Sequence, residues 1–554
     1  MTHSNPAAEE DNAGLPSKEP FFAGWRRDAV VCLSLANFRF LPQWEELFSY
    51  KRPISIWFVR KTVPSPVECA AMMTAVLLLA VVLYGGVRLA RRRLGERGFR
   101  WAGLAAFGVA MVPLGSERDT VVTLLTHLRS WVIPFASPRT GLFLMALAGA
   151  AAIWPVWRYQ RRVAAVAGGV VLVLSPFCLL TFGEAVAAMA TYSDRPYRDG
   201  PLAARLATAP PATRVVWIVF DEWDYRLSFV DRPADLAMPQ IDRLRGESLF
   251  ATGARSPFLD TFKSLPSLIT GRRLEASIDA SGIGIVVASP EHKEAKPAPW
   301  DGNSSVFSAV RKSGFSVGLV GWYFPYCRIM NAALSECAWW PLGDSKIPGD
   351  RILAGPMGTS YLGKVGGYSL GLLEMYGPHW SQYSFARYKA GVDLEFMAES
   401  TKQAADPALG LVFLHAPVPH GPHTYDRFTG RMGALNRSKF AYIDSLALMD
   451  RLMGELRASM ESNGTWDRTV LVISSDHPFR ESQALYGKSD RRVPFLVRFP
   501  GRPTAGVVTA QFDTIVSANL VRDILRGSVS TVAEASDWIE RRQGDRESPV
   551  ETGN

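Results

Sequence analysis

Between residues 66 and 90 the chain reads P-V-E-C-A-A-M-M-T-A-V-L-L-L-A-V-V-L-Y-G-G-V-R-L-A. About 20 of these positions are apolar, enough for a helix rising 1.5 Å per residue to cross ~30 Å of hydrocarbon. Residues 99–115, 138–157 and 162–184 are three further candidate spans. Folded in water, four such runs would leave more apolar surface than a helical domain can bury, so 28–184 is read as a transmembrane domain. The 28–48 stretch is interrupted by Arg39, Glu45 and Glu46 and suits either a fifth span or an interfacial helix. Residues 120–136 set His127 and Arg129 among Leu, Val, Ile and Trp, the pattern of a helix lying on the membrane surface. Residues 1–27 form a polar tail without the apolar core of a signal peptide.

Charge gives the orientation. The 91–100 loop carries five Arg and one Glu, and the 158–162 turn carries Arg158, Arg161 and Arg162. Both are expected in the cytoplasm, which puts everything after 184 outside, as in a multi-pass protein of the cell (inner) membrane with an external or periplasmic domain. If 28–48 also spans, Lys51, Arg52, Arg60 and Lys61 lie outside and meet lipid headgroups. Of the formal charge of +9, the first 200 residues hold +8 and the rest +1. A near-neutral remainder argues against nucleic acid as a partner. With 48% apolar and 20% charged residues the chain is neither disordered nor collagen-like, and five Cys in 554 residues exclude a disulfide-dense scaffold.

After a Pro-rich linker at 185–212 the pattern changes. Strands are expected at 215–220, 316–321, 409–414, 469–474 and 493–499, and helices at 264–271, 304–313, 384–400, 434–461 and 513–526. Strands alternating with helices predict an α/β domain over 213–540, with a central, mostly parallel sheet covered by helices. A polar tail follows at 541–554.

Polar residues cluster just after the strands. Asp221 and Glu222 follow the first, His415 follows the third with His420 and His423 beyond it, and Asp476 and His477 follow the fourth. Ligands in parallel α/β sheets bind beyond the carboxyl ends of strands, so these loops are expected to meet. Asp plus imidazole suits Zn²⁺ or Mn²⁺ better than Ca²⁺. Thr261 or Ser264 stands where a loop enters a helix. There a hydroxyl either caps the helix or, against a metal, becomes a nucleophile beside amides that favour phosphate.

The order D-E, then T-x-x-S-L-P-S-L-I-T-G from Thr261 to Gly271, then H-x-x-x-x-H-G-P from His415 to Pro422, then S-D-H at 475–477 resembles the sulfatase and alkaline-phosphatase superfamily over about 215–525. Within it, the membrane-anchored lipid A phosphoethanolamine transferases and lipoteichoic acid synthases are most similar. The resemblance implies a sulfatase-like fold, metal ligation by Asp221, Thr261, Asp476 and His477, the adjacent Glu222 either as a further ligand or as a residue behind the ligands, Thr261 as nucleophile and His420 on the phosphoryl or leaving group. It implies a lipid donor and an envelope glycan or glycolipid acceptor. The chain departs from the pattern in three places. Asp221 stands where the transferases usually have Glu, Pro478-Phe479 replaces Gly-Glu, and Lys488 replaces a His and is expected to hold phosphate as a point charge. Ser264-Leu265-Pro266-Ser267-Leu268 lacks the Arg of the sulfatase C/S-x-P-x-R motif, which argues against classical sulfate-ester hydrolysis. A phosphotransferase is the first reading. A phosphodiesterase, phosphatase or sulfatase of the same superfamily is the second, and a non-catalytic envelope assembly protein the third.

Cys32, Cys69 and Cys178 fall in the membrane stretches and read as small apolar residues. Cys327 and Cys337, ten apart in the external domain, are expected to form a disulfide. The aromatic cluster Trp322, Tyr323, Phe324, Tyr326, Trp339 and Trp340 reads as core.

Overall fold

A computed structural model describes residues 24–50, 60, 62–110, 154, 158–193, 200–206, 213–278, 285–290, 296–342, 360–374, 380–433, 435–436 and 440–545. The chain divides into two compact units. The first is Met1–Trp44, Ser65–Tyr192 and Pro348–Met375; the second is Glu45–Pro64, Ser193–Ile347 and Tyr376–Asn554.

The first unit is helical. Helices α1 (Trp25–Arg39) and α2 (Leu41–Phe48) meet at Phe40, so 28–48 is not one continuous span. Pro42 explains the break: it has no N–H to carry on the ladder and disfavours a helical residue before it. Helix α3 (Pro66–Arg93) covers the first predicted span. Ser65 and Glu68 cap its start reciprocally, and Arg91, Arg92 and Arg93 fill its last turn. Helix α4 (Glu96–Ala110) is the described part of the 99–115 candidate. The 120–136 surface helix lies outside the described residues, as does 138–157 apart from Trp154. The 162–184 candidate is two helices, α5 (Gln160–Val173) and α6 (Phe177–Ala190), separated by a turn at Pro176. By length and composition Pro66–Arg93 and Gln160–Ala190 could each cross a membrane. Both hold apolar side chains outward, among them Leu78, Val81 and Val82 on α3 and Leu179 and Leu180 on α6. A further helix, Tyr361–Glu374, belongs to this unit although its sequence neighbours belong to the other.

The second unit is built on an eight-stranded sheet. Its strands in chain order are β1 (Arg214–Asp221), β2 (Leu249–Ala251), β3 (Val317–Tyr323), β4 (Glu336–Pro341), β5 (Leu411–Pro419), β6 (Thr469–Ser475), β7 (Phe495–Arg498) and β8 (Gly506–Val508). They lie side by side as β8-β2-β7-β6-β1-β5-β3-β4, and only the β6–β7 and β7–β2 pairs are antiparallel. The expected mostly parallel sheet is present. The edge strands β8 and β4, and β2 beside β8, carried no readable signal: β2 and β8 are short, and β4 is interrupted by Glu336 and ends in Trp-Trp-Pro.

All eight residues of β1 are buried, because helices cover both faces of the sheet. Val215, Trp217 and Val219 join one core with Leu265 and Leu268 of helix α7 (Thr261–Thr270). Val216, Ile218 and Phe220 join another with Phe396 of α8 (Trp380–Ala405) and Met449 and Leu452 of α9 (Ala441–Ser462). A helix α10 (Ser517–Leu525) completes the first layer through Val521 and Ile524. The strand thus divides its side chains alternately between two cores and projects its carboxyl end from the centre of the sheet.

Cys327 and Cys337 are disulfide-bonded, with Cα atoms 5.7 Å apart. The bridge ties the chain after β3 to β4 and closes a short loop, which is worth about 2–4 kcal/mol when such a loop is otherwise free in the unfolded chain. Reduction, or Cys327→Ser with Cys337→Ser, is therefore expected to lower the midpoint of urea unfolding of the second unit. An unchanged midpoint would show that the bridge carries no stability.

Candidate metal centre

Sheet register brings the key carboxylates together. Asp221 ends β1 and Asp476 directly follows β6; the two strands are parallel neighbours with Phe220 opposite Ser475. Each carboxylate is completely buried. His477 comes next, and its Nδ1 faces the Pro478 carbonyl at 3.0 Å. A carbonyl only accepts, so Nδ1 carries the proton and Nε2 offers its lone pair to the centre. Nε2 stands 3.6 Å from Asp221 Oδ1 and 3.6 Å from Asp476 Oδ2.

Thr261 is the first residue of α7. The helix is capped by its neighbour: the Asp260 side chain accepts from the Lys263 N–H at 3.0 Å. Capping is therefore not the task of Thr261, whose hydroxyl is left 3.2 Å from His477 Nε2 and 3.4 Å from Asp221 Oδ1. Ser264 turns away and donates to the Phe258 carbonyl at 3.2 Å. At the far end of α7, Gly271 takes φ 67° and closes the helix in the left-handed conformation.

Further groups fix these ligands. The Trp322 indole N–H donates to Asp221 Oδ2 at 3.0 Å, leaving Oδ1 toward Thr261 and His477. Asp476 Oδ1 accepts the N–H groups of Glu222 (3.2 Å) and His477 (2.7 Å). Glu222 has φ 66°, rare outside glycine, and is held there by three bonds: that N–H, the Trp223 N–H to Ser475 Oγ, and the Tyr442 hydroxyl to its carbonyl. Tyr323, one residue after Trp322, is the other non-glycine residue with positive φ, at 77°, among those described.

The residues present fit a divalent cation. Asp221, Asp476 and His477 each offer a ligand atom within 4.8 Å of the others. Asp476 Oδ2 is buried with no hydrogen-bond donor among the described residues, an arrangement that is costly unless a cation faces it. Burial, reinforced by Asp476 and Glu222, pushes Asp221 well above the usual carboxylate range, and burial raises Asp476 as well. A raised folded-state pKa means that metal-free protein is best accommodated with these groups protonated, and that this stability is lost as pH rises through the raised values. Metal bound to the carboxylates removes that penalty. The gap in Tm between metal-loaded and metal-stripped protein is thus expected to widen from pH 5 to pH 8, reaching about 4 kcal/mol of stabilisation when free metal is 1,000-fold above Kd. A gap independent of pH would count against this ligand set.

Two residues named from the sequence make other contacts. Glu222 is not among the grouped ligands: its carboxylate accepts from Arg480 Nε at 2.5 Å, because the positive-φ turn carries it past the cation site. Burial works to raise its pKa, but His420, His477 and Arg480 outweigh it and the net direction is down. Lys488 is on the surface, 69% exposed, with Nζ 3.2 Å from Asp231.

A cation beside the site, not singled out from the sequence, is Arg480. Its place in D-H-P-F-R, four residues after Asp476, was the available signal, since a loop that short stays close to its strand end. Arg480 Nη2 also donates to His420 Nε2 at 3.3 Å, and the His420 ring packs edge-on against Trp322. Burial lowers the His420 pKa to about 4, so the ring is neutral. His415 is fully buried, with Nδ1 2.9 Å from the Tyr326 hydroxyl and Nε2 3.9 Å from Asp221 Oδ2; burial lowers its pKa to about 3. His423 lies farther out, with Nδ1 2.9 Å from Ser445 Oγ. The aromatic cluster is core as expected, and Trp322 in addition orients Asp221.

A protein-family model described as Sulfatase matches residues 358–526. No curated protein sequence matches the chain. Among solved structures, Ps i-CgsB in complex with k-i-k-neocarrahexaose is 16% identical, with TM-score 0.41, over 59% of this chain and 74% of that one. The lipoteichoic acid synthase LtaP from Listeria monocytogenes is 13% identical, with TM-score 0.34, over 57% and 72%. The phosphonate monoester hydrolase of Agrobacterium radiobacter is 14% identical, with TM-score 0.34, over 57% and 74%.

Proposed function

We propose that this chain belongs to the sulfatase and alkaline-phosphatase superfamily and is a membrane-anchored, metal-dependent phosphotransferase of the cell envelope, the Sulfatase match over 358–526 supporting the first part. The observation that carries this reading is the Thr261 hydroxyl, uncommitted to capping and 3.2–3.4 Å from two of the three grouped ligands. A divalent cation, Zn²⁺ or Mn²⁺ by its donors, would be held by Asp221, Asp476, His477 and Thr261, and would supply Lewis-acid activation of that hydroxyl and of the phosphoryl oxygens.

The remaining work belongs to the chain. Trp322 and the Glu222 and His477 amides orient the carboxylates. Thr261 Oγ1 attacks the phosphorus of a phosphodiester headgroup of phosphoethanolamine or phosphoglycerol type. The Oγ1–P bond forms, the P–O bond to the lipid alcohol breaks, and the threonine proton leaves with that alcohol. An envelope glycan or glycolipid hydroxyl then displaces Thr261 and restores its proton. Arg480 sits where a phosphoryl oxygen gains a charge-assisted donor. His420, with Nδ1 on the Gly421 carbonyl and Nε2 accepting from Arg480, would steady that guanidinium toward the phosphoryl or leaving group. The Arg-rich 91–100 and 158–162 stretches support an external catalytic unit, which a C-terminal topology reporter checks.

Mass spectrometry of envelope lipids and glycans, with and without the gene, tests the whole reading. The expected result is one glycan or glycolipid lighter by the phospho-substituent in the deletion strain. Unmodified glycans together with accumulation of a phosphodiester or monoester would make water the acceptor and the protein a hydrolase.

A further inference from the structure

The helix Tyr361–Glu374, Y-L-G-K-V-G-G-Y-S-L-G-L-L-E, has its polarity reversed relative to a helix on a water-soluble domain. Leu362 is 78% and Leu370 41% exposed, and with Gly366 and Ser369 they form one outward stripe at helical spacing. Lys364, the one charged side chain before Glu374, faces inward instead, with Val365 and Tyr368. Its Nζ lies 3.7 Å from Glu68 on α3, with both side chains about one-tenth exposed. One turn away the Tyr361 hydroxyl meets Thr74 Oγ1 of α3 at 2.6 Å.

These contacts set a depth. Thr74 lies eight residues into α3 from Pro66, about 12 Å along its axis. The helix therefore starts beside the interior of a candidate span and climbs toward the capped end at Glu68. Its exposed leucines add to the apolar side chains that α3 also holds outward, Leu77, Leu78 and Val81. In water this arrangement would hide the charge and expose the leucines, paying twice. In lipid it does neither: the charges neutralise each other against α3 and the leucines meet acyl chains.

We infer that residues 361–374, flanked in sequence by the catalytic unit, form a membrane-embedded helix whose Leu362–Leu370 face contacts the acyl chains of bilayer lipid. The inference rests on the membrane-anchored reading above. The test keeps the full chain in its native membrane and places a diazirine amino acid at Leu362, Leu370, Val82 of α3, or Phe428, an exposed residue of the second unit. Irradiation should give phospholipid adducts at 362 and 370 in yields like those at 82 and at least about tenfold above those at 428, as expected for positions buried in the acyl region. Adducts at 82 without adducts at 362 and 370 would overturn the inference and leave the anchor standing. Protein–protein adducts at 362 or 370 in place of lipid would overturn it in favour of a contact between copies. No lipid adduct at 82 would remove the anchor reading and this inference with it.

Discussion

Thr261→Ala is expected to lower turnover by on the order of 10³-fold or more while metal remains bound at one equivalent, because the nucleophile is lost and three ligands stay. Asp221, Asp476 and His477 are positioned by strand ends and by Trp322, none of which depends on Thr261. The separation of the two readouts is the point of the experiment. Metal analysis by mass spectrometry reports the ligands, and release of the lipid alcohol reports the attack. Thr261→Ser should recover part of the activity, since its hydroxyl starts from the same backbone position. If Thr261→Ala keeps full activity, the attacking oxygen is not Thr261, and Ser264 would have to turn from the Phe258 carbonyl to serve.

Asp476→Ala should lose metal and turnover together. This carboxylate supplies the orphaned Oδ2 and, through Oδ1, the acceptor for the Glu222 and His477 amides. Its removal takes away a ligand and leaves two buried N–H groups unsatisfied, at about 1–3 kcal/mol each. Asp476→Asn separates the effects: the amide oxygen can still accept the two N–H groups, so the fold should survive while metal affinity falls by at least about tenfold with the lost charge. Metal retained at wild-type affinity in both variants would place the cation elsewhere.

The sequence made the central strands legible because helices cover both faces of the sheet, so β1, β5 and β6 read as unbroken apolar runs. Asp221, Asp476 and His477 could be found because catalytic polar groups stand out directly after such runs. The sequence left Glu222 open between a ligand and a residue behind the ligands because adjacency carries no orientation; at its positive φ the carboxylate meets Arg480. Lys488 was named from its position in a family pattern; Arg480, four residues after Asp476, could have been named from its proximity to the strand end. Trp322 was hidden by its own hydrophobicity: buried indoles are common in cores, and only geometry shows that its N–H holds Asp221. The Tyr361–Glu374 helix was missed for a related reason. Four glycines dilute its apolar signal, and nothing in its sequence says that its surroundings differ from those of its neighbours.

The parallel pairing of β1 with β6 has a consequence for how the protein is made. Asp221 and Asp476 are 255 residues apart, so at 5–20 residues per second β1 leaves the ribosome roughly 13–50 s before its partner. Until β5 emerges, nearly 200 residues on, V-V-W-I-V-F has neither neighbour in the sheet, and β6 follows later still. A nascent chain of this kind carries an unpaired, two-sided apolar strand for about a third of its synthesis and is exposed to misassembly during that time. By the same geometry no truncated product ending before residue 476 can hold the cation, so chemistry waits on near-complete translation.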